Sequence, residues 1–352
     1  MQIVDEIIKQ IQPLDNAAMQ SARARQNTLT KPQGSLGRLE ELSIQLAGMT
    51  ANPLPTVERK AIIVMAADHG VTLEGVSAYP AEVTAQMVLN FLRGGAAINA
   101  LAGQANARVV VVDMGVASEI EDASGKLVRC KIGLGTANLA KGPAMTRAQA
   151  MESIHSGIEI VEAEIARGVD IFATGDMGIG NTTPSAAIAC ALMDQAPDKI
   201  AGRGTGVDDE GLKRKIGVIT RALDVNKPNA GDGLDVLAKV GGFEIGGLAG
   251  VMLAAAANRK PVVVDGFVST AAAMIAASLA PGARDYMVAA HLSQERGHKL
   301  MLDWLGLNPL LDMNMRLGEG TGAALAFHLI EASTRILREM ATFDEAGVSD
   351  KE

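Results

Sequence analysis

Val169-Asp-Ile-Phe-Ala-Thr-Gly-Asp-Met-Gly-Ile-Gly-Asn-Thr-Thr-Pro184 joins a strand-like run, Val169 to Ala173, through a glycine turn to an apolar helix that starts near Pro184. Gly175, Gly178 and Gly180 let the backbone bend sharply and approach a ligand closely. Thr182 or Thr183 can cap the helix, and Pro184 suits its first turn. The free N–H groups of such a helix start favour an anion, although Thr-Thr-Pro serves equally as an ordinary helix start. No lysine follows the glycines as a P-loop requires, and their spacing is not that of Gly-x-Gly-x-x-Gly.

Working outward, four more β-rich runs alternate with helix-like segments: Ala61 to Met65, Arg108 to Val112, Pro261 to Val264 and Asp285 to Ala289. Their apolar residues are continuous, without strict alternation, as in strands buried on both faces. The pattern predicts an α/β, Rossmann-like architecture with a mostly parallel sheet flanked by helices. Polar residues follow each run: Asp68-His69, Asp113, Asp176, Asp265 and His291. Ligands of open α/β sheets gather beyond the carboxyl ends of strands, so these residues are expected to converge on one crevice. Each is also an ordinary cap or turn former.

Residues 1–55 and 296–352 read as helical ends that build a smaller helical domain beside a catalytic domain over residues 56–295, with Ser349 to Glu352 a frayed tail. Asp5, Glu6, Lys9 and Asp15 among apolar residues suit an amphipathic helix, not a secretory leader. Ile245 to Ala257 is too short and glycine-rich to span a bilayer, so no membrane partner is expected. Across 352 residues the net charge of −8 argues against a nucleic-acid partner. Cys130 and Cys190 form no CxxC pair, which points to a reducing cytoplasm.

Three further stretches carry chemistry. Gly202-Arg-Gly-Thr-Gly206 can form an anion nest, with Lys213 or Lys215 reaching back from the helix that follows; a flexible loop with a solvated basic turn is the alternative. Glu319 stands between two glycines before an Ala-rich helix, presented as a general base must be, or else simply favoured by the helix dipole. Ser77 and Gln86 offer hydrogen bonds and Met87 can cover an apolar ring, though Met at helical spacing also builds core. Asp68, His69, Asp113, Asp265, His291 and His298 supply metal-ligand chemistry without a tight ligand spacing.

Seven motifs, in order, resemble the nicotinate-nucleotide–dimethylbenzimidazole phosphoribosyltransferase family, which makes the lower-ligand nucleotide of cobalamin. They are Thr30-Lys-Pro-Gln-Gly-Ser-Leu-Gly-Arg-Leu-Glu40, Ala67-Asp-His-Gly-Val71, Gly75-Val-Ser-Ala-Tyr-Pro80, Gly178-Ile-Gly-Asn-Thr-Thr-Pro184, Val264-Asp-Gly-Phe267, His291-Leu-Ser293 and Arg316-Leu-Gly-Glu-Gly-Thr-Gly322. The resemblance implies that Glu319 is the catalytic carboxylate and that Ser77, Gln86, Met87, Met177 and Leu317 bind the benzimidazole. It assigns Asp176, Gly178, Asn181, Thr182, Gly202, Arg203, Gly204, Gly206, Lys215, Asp265 and Ser293 to nicotinate mononucleotide. Position 176 is Asp where some relatives carry Glu. The implied reaction needs no cofactor and no metal, and a homodimer is expected. A metal-dependent phosphohydrolase or phosphomutase, and a nucleotide-binding protein without turnover, are the competing classes.

Overall fold

Val, Ile and Ala crowd the central strands because helices cover both sheet faces, and all eight residues of β1 (Lys60–Ala67) are buried. The computed structural model describes residues 2–349; the tail expected over 349–352 lies, beyond Ser349, outside the described residues. Its sheet contains β1, β2 (Ala107–Gly115), β3 (Val128–Arg129), β4 (Ile171–Met177), β5 (Val262–Val264) and β6 (Met287–Ala289) in the order β3-β2-β1-β4-β5-β6. Every pairing is parallel, so the sheet is more uniform than the sequence pattern predicts. The order reverses between β1 and β4, which makes the carboxyl ends of those two strands the topological switch point. Two-residue β3 is the strand that the sequence does not signal, being too short for any periodicity.

Glycine and alanine set the spacing of the covering layer. The Arg147–Ala166 helix crosses the Phe243–Ala257 helix so closely that a Cβ on Gly157 would stand 2.0 Å from the Gly247 carbonyl oxygen, and one on Gly250 2.0 Å from that of Ile154. The low aromatic content, 3%, fits a core built from such contacts.

The amino-terminal region divides in two. Pro13 separates the Gln2–Gln10 helix from the Asn16–Thr28 helix, whose N-cap Asp15 accepts a hydrogen bond from Ala18 N–H at 2.8 Å. The first helix packs against the Phe243–Ala257 and Arg147–Ala166 helices of the α/β body. The second packs with the Arg38–Thr50 and Thr321–Glu339 helices, and Arg25 donates to the carbonyls of Leu337, Arg338 and Met340 at the far end of the latter. Between them, buried Lys31 pairs with Glu40 at 2.8 Å and also donates to the Gln26 carbonyl. Among the described residues no helix is long and apolar enough to cross a membrane.

Candidate active site

At the switch point lies a cavity of about 640 Å³. The end of β4 and the turn after it contribute Asp176, Met177, Gly178, Asn181 and Thr182, the Val83–Arg93 helix contributes Val83 and Met87, and the loop before the Thr321–Glu339 helix contributes Arg316, Leu317, Gly318 and Glu319. Gly204 and Ser293 also line it. Tyr79, Thr205, Phe267, Val268, His291 and Glu295 are further parts of the wall. Of these six, only His291 is marked in the sequence by a strand end, because a Phe or a Val carries no local pattern; the strand order brings them here.

Glu319 is placed by backbone conformation. Gly318, Glu319 and Gly320 take φ of 86°, 63° and 90°, three consecutive left-handed residues. For Glu319 this costs about 1 kcal/mol, and the flanking glycines confine the cost to one position. The loop rests on β4 where a Cβ at Gly175 would come within 2.4 Å of the Glu319 carbonyl oxygen, so that glycine admits the carboxylate to the site. Glu319 Oε2 accepts a hydrogen bond from Ile98 N–H at 3.3 Å, at the start of the Ala97–Gln104 helix. Burial raises the Glu319 pKa and this amide partly offsets the rise. The carboxylate therefore meets the dipole of a helix other than the one it precedes.

Asp176 is buried, accepts from the Asn181 side-chain amide at 2.9 Å, and has its pKa pushed up to about 8 by burial and then by the neighbouring Asp265 charge. Asp265 turns away from the cavity. Its carboxylate accepts from Gly320 N–H at 3.2 Å and Ala323 N–H at 2.9 Å, anchoring the start of the helix behind Glu319, and burial pushes its pKa up to about 7. The structure thus places Asp265 as a support of the Glu319 loop, outside the cavity lining.

Several other expectations change. Neither Thr182 nor Thr183 caps its helix: the N-cap position is Asn181, with helical φ and ψ and no side-chain cap bond. The Thr182 hydroxyl instead accepts from Lys215 Nζ at 2.7 Å, which puts the fully buried lysine behind Thr182 and not on the cavity surface. Burial lowers the Lys215 pKa to about 8 against the opposing pull of Glu295. The Gly202 to Gly206 loop is not an empty nest, because Gly204 N–H donates to Glu295 Oε1 at 2.9 Å. Gly202, Arg203 and Gly206 line an adjoining pocket with Arg296 and Arg316, and Arg203 is engaged with the Val207 carbonyl and Asp209. Ser77 stands behind the wall, 3.1 Å from Thr205 Oγ1, and Gln86 is exposed, outside the lining.

The strand-end residues do not all converge. Asp68 accepts from Ala117 N–H, and Asp113 from Gly115 and Val116 N–H while pairing with Lys131 at 3.2 Å, so both hold the loop after β2. His69 lies 2.8 Å from buried Glu244; burial opposes its charge, but the Glu244 carboxylate prevails and its pKa is raised. Among the described residues no group of three or more His, Cys, Asp or Glu side chains is arranged to hold a metal ion. Asp265 and His291 lie 3.9 Å apart, but Asp68, His69 and Asp113 are engaged elsewhere, and the phosphohydrolase reading is not favoured.

Fold and cavity define a doubly wound α/β protein whose switch-point crevice joins Met and Val side chains to a carboxylate and a glycine-rich polar wall. The chain belongs to the phosphoribosyltransferase family whose model matches residues 11–348. It is 59% identical over 351 residues to nicotinate-nucleotide–dimethylbenzimidazole phosphoribosyltransferase from Roseiflexus sp. (strain RS-1), covering 100% of this chain and 99% of the relative. The enzyme of that name from Desulforudis audaxviator (strain MP104C) is 58% identical over 349 residues, covering 99% of each chain. A crystal structure of nicotinate-nucleotide–dimethylbenzimidazole phosphoribosyltransferase from Thermus thermophilus superposes with a TM-score of 0.91 at 49% identity, covering 96% of this chain and 100% of that one.

Proposed function

We propose that the chain transfers the phosphoribosyl group of nicotinate mononucleotide to 5,6-dimethylbenzimidazole with inversion at C1′, giving α-ribazole 5′-phosphate and nicotinate for cobalamin synthesis. The pyridinium nitrogen of the mononucleotide is already cationic, so nicotinate leaves with a neutral ring nitrogen and needs no general acid. The unprotonated ring nitrogen of the benzimidazole attacks C1′ from the opposite face, and its other nitrogen gives its proton to Glu319. The Glu319 charge also favours the oxocarbenium character that develops at the sugar. Setting two flat rings on opposite sides of one ribose is chiefly positioning.

One observation carries this reading: a buried carboxylate with a raised pKa, Glu319, held in a left-handed turn on the cavity wall. Met87, Met177 and Leu317 are suited to the benzimidazole, which has little for polar groups to bind. Gly178, Thr182, Gly204 and Ser293 are suited to the mononucleotide, with Arg316 and, through Thr182, Lys215 supplying positive charge near its phosphate. Because the phosphate is a handle and is not itself transferred, the chemistry calls for no metal.

The same reading includes a homodimer, supported by Leu73, Tyr79, Met313 and Leu317, which are large and exposed near the cavity segments. Two unpaired cysteines, Cys130 and Cys190, suit a cytoplasmic location. The test of function is stoichiometry. Nicotinate release should require dimethylbenzimidazole and match riboside formation one to one; nicotinate released equally well without the base would mark a hydrolase instead.

A further inference from the structure

His298 belongs to no part of the mechanism above, yet it is fully buried behind the cavity wall and bonded at both ring nitrogens. Ser293 N–H lies 2.8 Å from Nδ1, and Thr270 Oγ1 lies 2.8 Å from Nε2. A backbone N–H can only donate, so Nδ1 must be the unprotonated nitrogen and Nε2 carries the hydrogen. Nε2–H then donates to the Thr270 oxygen, leaving the Thr270 hydroxyl hydrogen for the Gly266 carbonyl, 2.7 Å away. Each donor in the chain Ser293, His298, Thr270, Gly266 therefore has one acceptor, and only one tautomer satisfies all of them.

Both ends of the chain, Ser293 and Gly266, line the cavity. A protonated His298 would aim N–H at N–H, and burial, followed by the nearby His291, pushes its pKa down to about 3, so the relay is intact throughout the neutral range.

We propose that His298 is a positioning residue: through one fixed tautomer it holds the Ser293 amide and the Gly266 carbonyl where the mononucleotide meets the wall. This rests on the transferase reading given above, with the mononucleotide on the Ser293 side of the cavity.

Two measurements test it. Nitrogen-15 NMR of histidine-labelled protein at neutral pH should show His298 as the Nε2–H tautomer. A hydrogen on Nδ1, in a neutral or charged ring, would overturn the relay, and this result needs no turnover.

The second compares His298→Asn with His298→Gln. The Asn carbonyl oxygen can occupy the Nδ1 position and keep the Ser293 bond, whereas the Gln amide reaches the Nε2 position and leaves Ser293 N–H unpaired. His298→Gln should raise KM for nicotinate mononucleotide about tenfold while KM for dimethylbenzimidazole and kcat stay within about twofold, and His298→Asn should recover most of the loss. Equal effects of the two variants, or parallel shifts in both KM values, would overturn the proposal. Failure of the underlying reading looks different: the unaltered protein then makes no riboside, while the NMR result still decides the tautomer.

Discussion

Glu319 and Asp176 are carboxylates on one cavity wall, and burial raises both pKa values, but their partners separate their roles. Glu319 meets a single backbone amide, which leaves oxygen lone pairs for a substrate proton. We expect Glu319→Gln to bind nicotinate mononucleotide within about threefold of normal by calorimetry and to lose about 10²- to 10⁴-fold in kcat. Near-normal turnover would remove Glu319 from the chemistry. With its pKa raised above the ordinary glutamate value of 4.5, the acid limb of kcat/KM should lie above that value and vanish in the variant. For Asp176 the folded pKa, about 8, exceeds the unfolded value of 3.8, so between these values the folded state binds more protons than the unfolded one. Its contribution to stability is full below pH 3.8 and is lost as pH rises toward about 8. Asp176→Asn should raise Tm at pH 8 more than at pH 5, and an equal change at both would contradict this assignment. Lys215→Met, chosen because the lysine is fully buried, should weaken mononucleotide binding about 10- to 100-fold and leave benzimidazole binding unchanged. Equal weakening of both ligands would point to a folding defect. Glycines or strand ends flag Glu319, Asp176 and Lys215 in the sequence, whereas Glu295, 91 residues from the Gly204 amide it holds, has no local signature.

The strands are legible from their continuous apolar runs, since burial on both faces removes alternation. Helix starts are less so. A threonine before proline looks like a cap, yet the Thr182 hydroxyl accepts from Lys215, a partner 33 residues away that no local rule anticipates. The amino-terminal amphipathic pattern hides a break at Pro13, with Asp15 starting a second helix that packs on different elements from the first. The Thr30 to Glu40 stretch, recognisable only as a motif, is a structural joint: Lys31 and Glu40 pair with side chains only 6% and 10% exposed. Lys31→Met would strand the Glu40 charge, and we expect a loss of about 3 kcal/mol in urea unfolding. A change below about 0.5 kcal/mol would show the pair to be replaceable.

For the whole molecule, the strand order decides what the sequence can only list. Five polar strand ends are expected in one crevice, but the cavity takes only Asp176 and His291, at the ends of β4 and β6, and the loop after β2 draws Asp68 and Asp113 into structural work. The same topology carries residue 319 to residue 176, and so sets the Glu319 carboxylate against a cavity that neither segment could build alone. That arrangement is suited to glycosyl transfer with inversion, and among the described residues no group of three or more His, Cys, Asp or Glu side chains is arranged to hold a metal ion. The most direct measurement is product identity: the protein, freed of metal with a chelator, is incubated with nicotinate mononucleotide and 5,6-dimethylbenzimidazole, and the riboside is analysed by NMR. Inverting transfer predicts α-ribazole 5′-phosphate, formed with free nicotinate at the same rate with or without chelator. Absence of a riboside, or a product of β configuration, would contradict it.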